Sequence, residues 1–267
     1  MYDSSDRRLA SAHHCWPAKG MGMTATRPLG LGKSSAFGDR GITKRLDALG
    51  RHAELRGHRL LDIGCGDGAY TRILADDFDL IDAVDIQLDR LEAFRQNIAG
   101  TPNDKKITVR DMSAEKLDYP SDSFDVVTAI EVLEHVGDLG ASLREVSRVL
   151  KPGGTFAVTT PNRWFPFETH GFLVRGRRYK PTRGPFLPWI VPLHRRLADA
   201  RSFTARGLSR QLNEAGLRPT AIDYIMPPFD RSRIGQRISP VTDFVERSPL
   251  KFFGMALVVL CTKSVAE

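Results

Sequence analysis

The chain has 267 residues, 41% hydrophobic and 8% aromatic, with a net charge of +7; that is enough apolar material for one large domain, or one domain with insertions. Cys15, Cys65 and Cys261 are widely spaced with no C-x-x-C pair, which argues against a disulfide framework and a zinc site and for a reducing compartment. No window approaches the run of about 18 apolar residues that a membrane-spanning helix needs.

The charge is uneven. Residues 1–160 carry 21 Lys and Arg against 24 Asp and Glu, a net −3, and residues 161–267 carry 18 against 8, a net +10. A basic face of this kind serves nucleic acid, an anionic membrane surface or a phosphorylated substrate, or is simply solvated.

Residues 1–40 are rich in Ser, Gly, Arg and His without apolar periodicity and are expected to be a disordered tail. Nothing in them resembles a secretory signal. The acid-free run 7–38 leaves an organellar transit peptide, a start at Met21 or Met23, or vector-derived residues as alternatives. Gly30-Leu-Gly32-Lys33-Ser34 ends like a phosphate-binding loop, but Arg27 stands where the first glycine belongs and no strand precedes it, so the motif is rejected. Ile42, Leu46, Leu49 and Ala53 predict an amphipathic helix over 41–56, packed over the ligand cleft or against the sheet edge.

Leu60-Leu-Asp62-Ile-Gly64-Cys65-Gly66-Asp-Gly68-Ala-Tyr70 then reads as a buried strand running into a glycine-rich turn and a helix over 69–77. Such a corner presents free backbone N–H groups to a nucleotide. Gly64-x-Gly66-x-x-Ala69 satisfies the dinucleotide fingerprint. Asp62-x-Gly64-x-Gly66-x-Gly68 resembles motif I of the class I (Rossmann-like) methyltransferases, which bind S-adenosylmethionine, and this is the favoured reading of the corner. The second strand, 80–85, ends in Asp85, 17 residues after Gly68, where a carboxylate can accept both ribose hydroxyls or instead cap the next helix.

A third strand (106–110) leads to Asp111-Met112-Ser113-Ala114-Glu115. This segment, followed by Phe124-Asp-Val-Val, is similar to the methyltransferase pattern that holds the adenine amino group; the partner here is Asp111 or Ser113. A fourth strand (125–130) delivers Glu131-Val-Leu-Glu134-His135-Val to the sheet's carboxyl edge, and Leu150-Lys-Pro-Gly-Gly opens strand five (156–160). These motifs together, over about 58–160, closely resemble the small-molecule class I methyltransferases, including the quinone-biosynthesis O- and C-methyltransferases.

Beyond Thr160 the pattern breaks. Thr160-Pro-Asn-Arg-Trp164-Phe165-Pro-Phe167 opens an aromatic, basic segment over 161–203 that resembles the acceptor-binding lid of sugar- and lipid-modifying members; its aromatics could equally be core filling. A helix (204–215), strand six (220–225), a second insertion (227–251) with Arg231, Arg233, Arg237 and Arg247, and an antiparallel last strand (252–262) complete the chain. The expected fold is a doubly wound, Rossmann-like, seven-stranded α/β sheet, mostly parallel, in one domain over 41–267. Its core is 58–160 and 204–263.

The resemblance implies S-adenosylmethionine as cofactor and S-adenosylhomocysteine as product. It assigns to the cofactor Asp62, Gly64, Cys65, Gly66, Gly68, Tyr70, Asp85, Ile86, Asp111, Met112, Ser113, Ala114 and Ile130, and to the acceptor Trp164, Phe165, Phe167 and His170. His135 or His170 is the candidate base, because histidine titrates near neutral pH, and Glu131 could hold the cofactor's methionine end or the acceptor. His13 and His14 lie in the tail and His52 and His58 flank the first helix, so no metal site is expected. The function these features imply is O-methylation of a small or lipid-linked aromatic or sugar acceptor, with C- and N-methylation open. The expected location is the cytoplasm, with peripheral membrane contact through the basic C-terminal part, and the oligomeric state is left open. RNA methylation is the alternative, disfavoured by the lack of an Asn/Asp-Pro-Pro-Tyr motif after strand four; a non-catalytic cofactor-binding scaffold is the other.

Overall fold

The computed structural model describes residues 39–228 and 233–264. The expected disordered tail lies almost wholly outside them, as do Arg231 and the side chain of Arg233. Seven strands form one sheet: β1 (Gly57–Ile63), β2 (Phe78–Asp85), β3 (Ile107–Asp111), β4 (Phe124–Ile130), β5 (Leu150–Pro161), β8 (Leu217–Ile225) and β9 (Ala256–Lys263). A separate two-stranded hairpin, β6 (Phe172–Val174) and β7 (Arg177–Tyr179), interrupts them in sequence. The sheet order is β3-β2-β1-β4-β5-β9-β8. β1 to β5 pair in parallel, and β9 runs antiparallel between β5 and β8.

Helices α1 (Asp39–Gly50), α2 (Thr71–Leu74), α3 (Leu88–Ile98), α4 (Leu139–Val149), α5 (Val191–Leu197), α6 (Ala205–Glu214) and α7 (Arg233–Glu246) make up the helical part. Parallel strands covered on both faces must be apolar on both, and β1 illustrates it. Leu60 and Leu61 are both fully buried, Leu60 in the core shared with α1 and α3, Leu61 in the core shared with α4 and α6. Successive side chains alternate across a strand, so one dipeptide serves two cores.

Several boundaries differ from expectation. α1 begins at Asp39 and stops at Gly50, six residues short of the predicted end; glycine disfavours continuing the helix, and the buried Leu55 already lies in the approach to β1. The predicted 69–77 helix is one α turn followed by a 3-10 turn at Ala75–Asp77. The last strand starts at Ala256 because Pro249–Phe253 forms a 3-10 turn of its own. The aromatic segment is not structureless: it holds the β6–β7 hairpin, two 3-10 turns and α5.

α1 is fixed over the sheet by ions. Arg40 and Lys44 pair with Asp243 at 2.8 and 2.9 Å, and Lys44 reaches Glu246 at 2.8 Å, tying α1 to α7. Asp223 on β8 accepts from Lys251 and Arg51 at 2.8 and 3.0 Å and lies 3.0 Å from His52 Nε2, and these hydrogen bonds hold its carboxyl well below the usual range against the opposing effect of burial. Among the described residues no helix is long and apolar enough to cross a membrane.

Candidate active site

The first corner is built by close packing. Gly64 and Gly68 have φ of 71° and 82°. A Cβ on Gly64 would fall 2.3 Å from Val132, and one on Gly68 would fall 2.2 Å from the Phe94 ring. Their smallness therefore serves protein packing against the turn as much as ligand approach. Asp62 sits beneath, accepting hydroxyl hydrogen bonds from Thr71 at 2.5 Å and Thr128 at 2.8 Å; burial pushes its carboxyl up to about 6. It braces β1 to α2 and β4 and lines neither of the two cavities described below. Cys65 is buried, with its thiol pushed up by burial, and Tyr70 is half-buried, its phenol pushed up to about 12 by the same cause.

A cavity of about 130 Å³ opens at the carboxyl ends of β1, β2 and β4, where open parallel sheets bind ligands. Gly64, Asp85, Ile86, Met112, Ser113, Ala114, Glu131 and His135 all line it. Asp85 is only 6% exposed; one carboxylate oxygen accepts from the Gly66 N–H and the other from the Gln87 N–H, each at 2.9 Å. Asp111 pairs beside Asp85 in the sheet but is exposed and outside the cavity, whereas Ser113 is in its wall. Ile130 is buried behind it, at the end of β4. Gln87 and Arg90 are wall residues that the sequence did not single out. Arg90 lies across the turn, its guanidinium 2.0 Å from where a Gly66 Cβ would stand, and this flexible side chain narrows the cavity.

Glu131 stands just past β4 with φ 58°, a strained value for a residue other than glycine. Its carboxylate accepts from Thr159 at 3.0 Å and pairs with the buried Arg45 of α1 at 3.5 Å. Burial opposes its ionisation, but Arg45, His170 and the Thr159 hydroxyl outweigh it and keep the carboxyl below its ordinary range. Glu134 is different: fully buried, with neither carboxylate oxygen hydrogen-bonded, it is pushed well above the ordinary range by burial and by Glu131.

His135 and His170 meet edge to face with ring centres 4.9 Å apart, and their Nε2 atoms lie 4.0 and 3.6 Å from Glu134 Oε1. Burial lowers the His170 imidazole below its ordinary value. Ligand atoms of Glu134, His135 and His170 thus fall within 4.8 Å of one another. This departs from the expectation of no metal-ligand cluster. His170 is 35 residues from His135 in sequence, and only the folded lid joins them.

The lid is held at its root by Asn162, whose amide donates to the Phe252 and Gly254 carbonyls at 2.8 Å each and whose Oδ1 accepts from Trp164 N. Arg201 closes its far end over the Glu134 loop, donating to the Val136 and Gly137 carbonyls. Between them lies a second cavity of about 790 Å³, large enough for a drug-sized ligand. It is lined by Arg163, Arg195, Arg201, Arg210 and His194 and by no carboxylate. His135 and Gly137 line both cavities. Trp164, Phe165 and Phe167 line neither. Trp164 and Phe167 are 40% and 42% exposed, and Trp164 packs against Phe252 on the outer side of the lid. The Asn162 tie aims that turn outward.

A methyltransferase-domain family model matches residues 61–158. The chain is 35% identical over 162 residues to a demethylmenaquinone methyltransferase of Symbiobacterium thermophilum, a match covering 59% of this chain and 62% of that one. It is 36% identical over 120 residues to a ubiquinone biosynthesis O-methyltransferase of Xanthomonas oryzae pv. oryzae, covering 45% of this chain and 49% of that protein. The chain thus spans between about half and three fifths of the curated relatives it matches. The crystal structure of an S-adenosylmethionine-dependent methyltransferase from Mesorhizobium loti superposes with a TM-score of 0.59 at 21% identity, over 82% of this chain and 97% of that one. The sheet order, the glycine turn and these similarities together make residues 61–158 a methyltransferase domain with the Rossmann-like fold of the class I, S-adenosylmethionine-dependent type.

Proposed function

We propose that this protein transfers the methyl group of S-adenosylmethionine to a hydroxyl of a small or lipid-linked, negatively charged acceptor. The observation that carries this is the position of His135, shared by the cofactor-side cavity and the larger arginine-lined one. The first cavity suits the cofactor. Asp85 spends one acceptor site of each oxygen on the turn, and a carboxylate keeps further lone pairs for two ribose hydroxyls. Ser113 and the apolar Met112 and Ala114 stand where a base would lie. Admitting the cofactor requires the Arg90 side chain, which lies across the turn, to swing aside.

Bound there, the cofactor supplies a methyl group already activated by a positive sulfur. The chain's own residues align the acceptor and exclude water, and proximity of this kind can lower a barrier by several kcal/mol. The arginines of the second cavity would clamp a phosphate or carboxylate, and the hydroxyl would be activated at the His135–His170–Glu134 cluster. The exposed aromatics Trp164, Phe186, Trp189 and Phe252 beside a basic lid support peripheral contact with a membrane that carries such an acceptor. The net +10 of residues 161–267 also supports RNA as an acceptor.

The test is transfer of a labelled methyl group from S-adenosylmethionine to phenolic quinone precursors, to hydroxylated lipids and to RNA. Label in an organic-extractable phenolic or lipid product, not transferred when the hydroxyl is masked, is the expected result. Label in RNA alone, lost as salt is raised, would move the assignment to the second reading.

A further inference from the structure

We infer that Glu134, His135 and His170 form a binding site for a divalent first-row transition cation such as Zn²⁺, Mn²⁺ or Fe²⁺, placed between the two cavities. Three observations converge. Glu134 has no exposed surface, and both its carboxylate oxygens lack a hydrogen-bond partner although they face two imidazoles. A buried carboxylate in that condition is costly unless something positive meets it.

The donor set is the second observation. Two imidazole nitrogens and one carboxylate oxygen suit zinc, iron and manganese better than magnesium or calcium, which favour all-oxygen shells. Ligands bound at about 2.0–2.2 Å stand about 3–3.5 Å from each other. The two separations from Glu134, 3.6 and 4.0 Å, therefore close with movements of under about 1 Å, and all three ligand atoms already lie within 4.8 Å of one another. Third, the His170 ring is already oriented: Thr169 Oγ1 bonds its Nδ1 at 2.9 Å, which leaves Nε2 toward Glu134. A hydrogen bond on the distal ring nitrogen is the usual support of a ligating histidine. Glu131, drawn to Arg45 and Thr159, adds negative charge nearby.

The position gives the cation a use. His135 borders both cavities, so a cation held beside its ring would lower the pKa of an acceptor hydroxyl brought up to it, the proton passing to solvent. The imidazoles then act as ligands. This use rests on the methyl-transfer reading; the binding of the cation does not.

The experiment is titration of the full chain with Co²⁺, followed by its visible absorption, then displacement by Zn²⁺ and Mn²⁺. We expect one saturable site of micromolar affinity, weakened at least tenfold in Glu134→Gln and in His170→Gln. His170→Gln sits on a partly exposed lid residue, so it tests the site even if the core variant fails to fold. Absence of a saturable site, or an affinity unchanged by both substitutions, would overturn the inference. Calorimetric titration of the same samples with S-adenosylmethionine separates the two proposals. Neither Glu134 nor His170 lines the cofactor-side cavity, so cofactor binding should survive both changes. A chain that binds the cofactor but no cation refutes the cation site alone; one that binds the cation but no cofactor refutes methyl transfer alone.

Discussion

Asp85→Ala is the sharpest test of the cofactor side. The native carboxylate is 6% exposed and holds the Gly66 and Gln87 N–H groups at 2.9 Å. A hydrogen bond to a charged group contributes about 1.5–3 kcal/mol. Losing one ribose contact should therefore weaken S-adenosylmethionine at least tenfold, about 1.4 kcal/mol, and losing both should weaken it about a hundredfold or more. The same change strands the buried Gly66 N–H, at about 1–3 kcal/mol, and the half-buried Gln87 N–H, so stability must be measured in parallel. Asp85→Asn keeps one acceptor oxygen and should fall between. The assay is calorimetric titration with S-adenosylmethionine, S-adenosylhomocysteine and NAD, beside thermal unfolding by circular dichroism. A lowered Tm with unchanged affinity would make Asp85 a strut of the turn and place the ribose elsewhere; tight binding of NAD alone would overturn the assignment of the corner.

Gly68→Ala meets both a left-handed φ and the Phe94 ring at 2.2 Å, so a loss of about 2–4 kcal/mol is expected in urea unfolding; a loss below about 1 kcal/mol would mean that the ring yields freely. Asp62→Asn should change the pH dependence of stability. The folded carboxyl titrates near about 6, above its ordinary 3.8, so the native chain holds the proton more tightly and wild-type stability drains away as pH rises from about 4 to about 6. Relative to wild type, the Asn variant should gain over that window, by about 1–3 kcal/mol, and stay level above it; a flat difference across urea titrations at pH 4 to 7 would contradict this. Asn162→Ala removes two 2.8 Å bonds at the lid root. It should lower Tm by about 4–8 °C, for about 2 kcal/mol in a chain of this size; an unchanged Tm would show that the lid needs no such tie.

The parallel half of the sheet is legible in the sequence because each strand is a short apolar run ending at a turn or an acid, as in Leu60 to Gly64 and Ile81 to Asp85. Helix ends are less so. Spacing alone carries α1 to residue 56, because Ala53 keeps the apolar period past Gly50, whose glycine is the one local mark of the stop. The glycine turn, Asp85 and His135 stand out because strand ends are where open sheets place ligand groups. Glu134, Arg45 and Arg90 do not. An acid in a loop looks solvated until the lid covers it, an arginine on an amphipathic helix looks like surface until its partner Glu131 is known, and Arg90 is set across Gly66 by helix packing. The aromatics Trp164, Phe165 and Phe167 suggest an acceptor wall by composition. Their direction is set by Asn162 bonding across 90 and 92 residues, a constraint that no window contains.

That tie also fixes an order of assembly. Strands β1 to β4 pair through neighbours and nearby crossovers, so the cofactor side can close while the chain is still being made. β9 must insert between β5 and β8, and only then do the Phe252 and Gly254 carbonyls exist for Asn162 to grip. Contacts of such long sequence separation form late. The acceptor side is therefore the last part of the molecule to mature, and pulse-labelled amide exchange should show protection of Arg163 and Phe203 rising in step with β9. A nascent or C-terminally clipped chain should keep its glycine-turn corner and lack an ordered arginine-lined cavity.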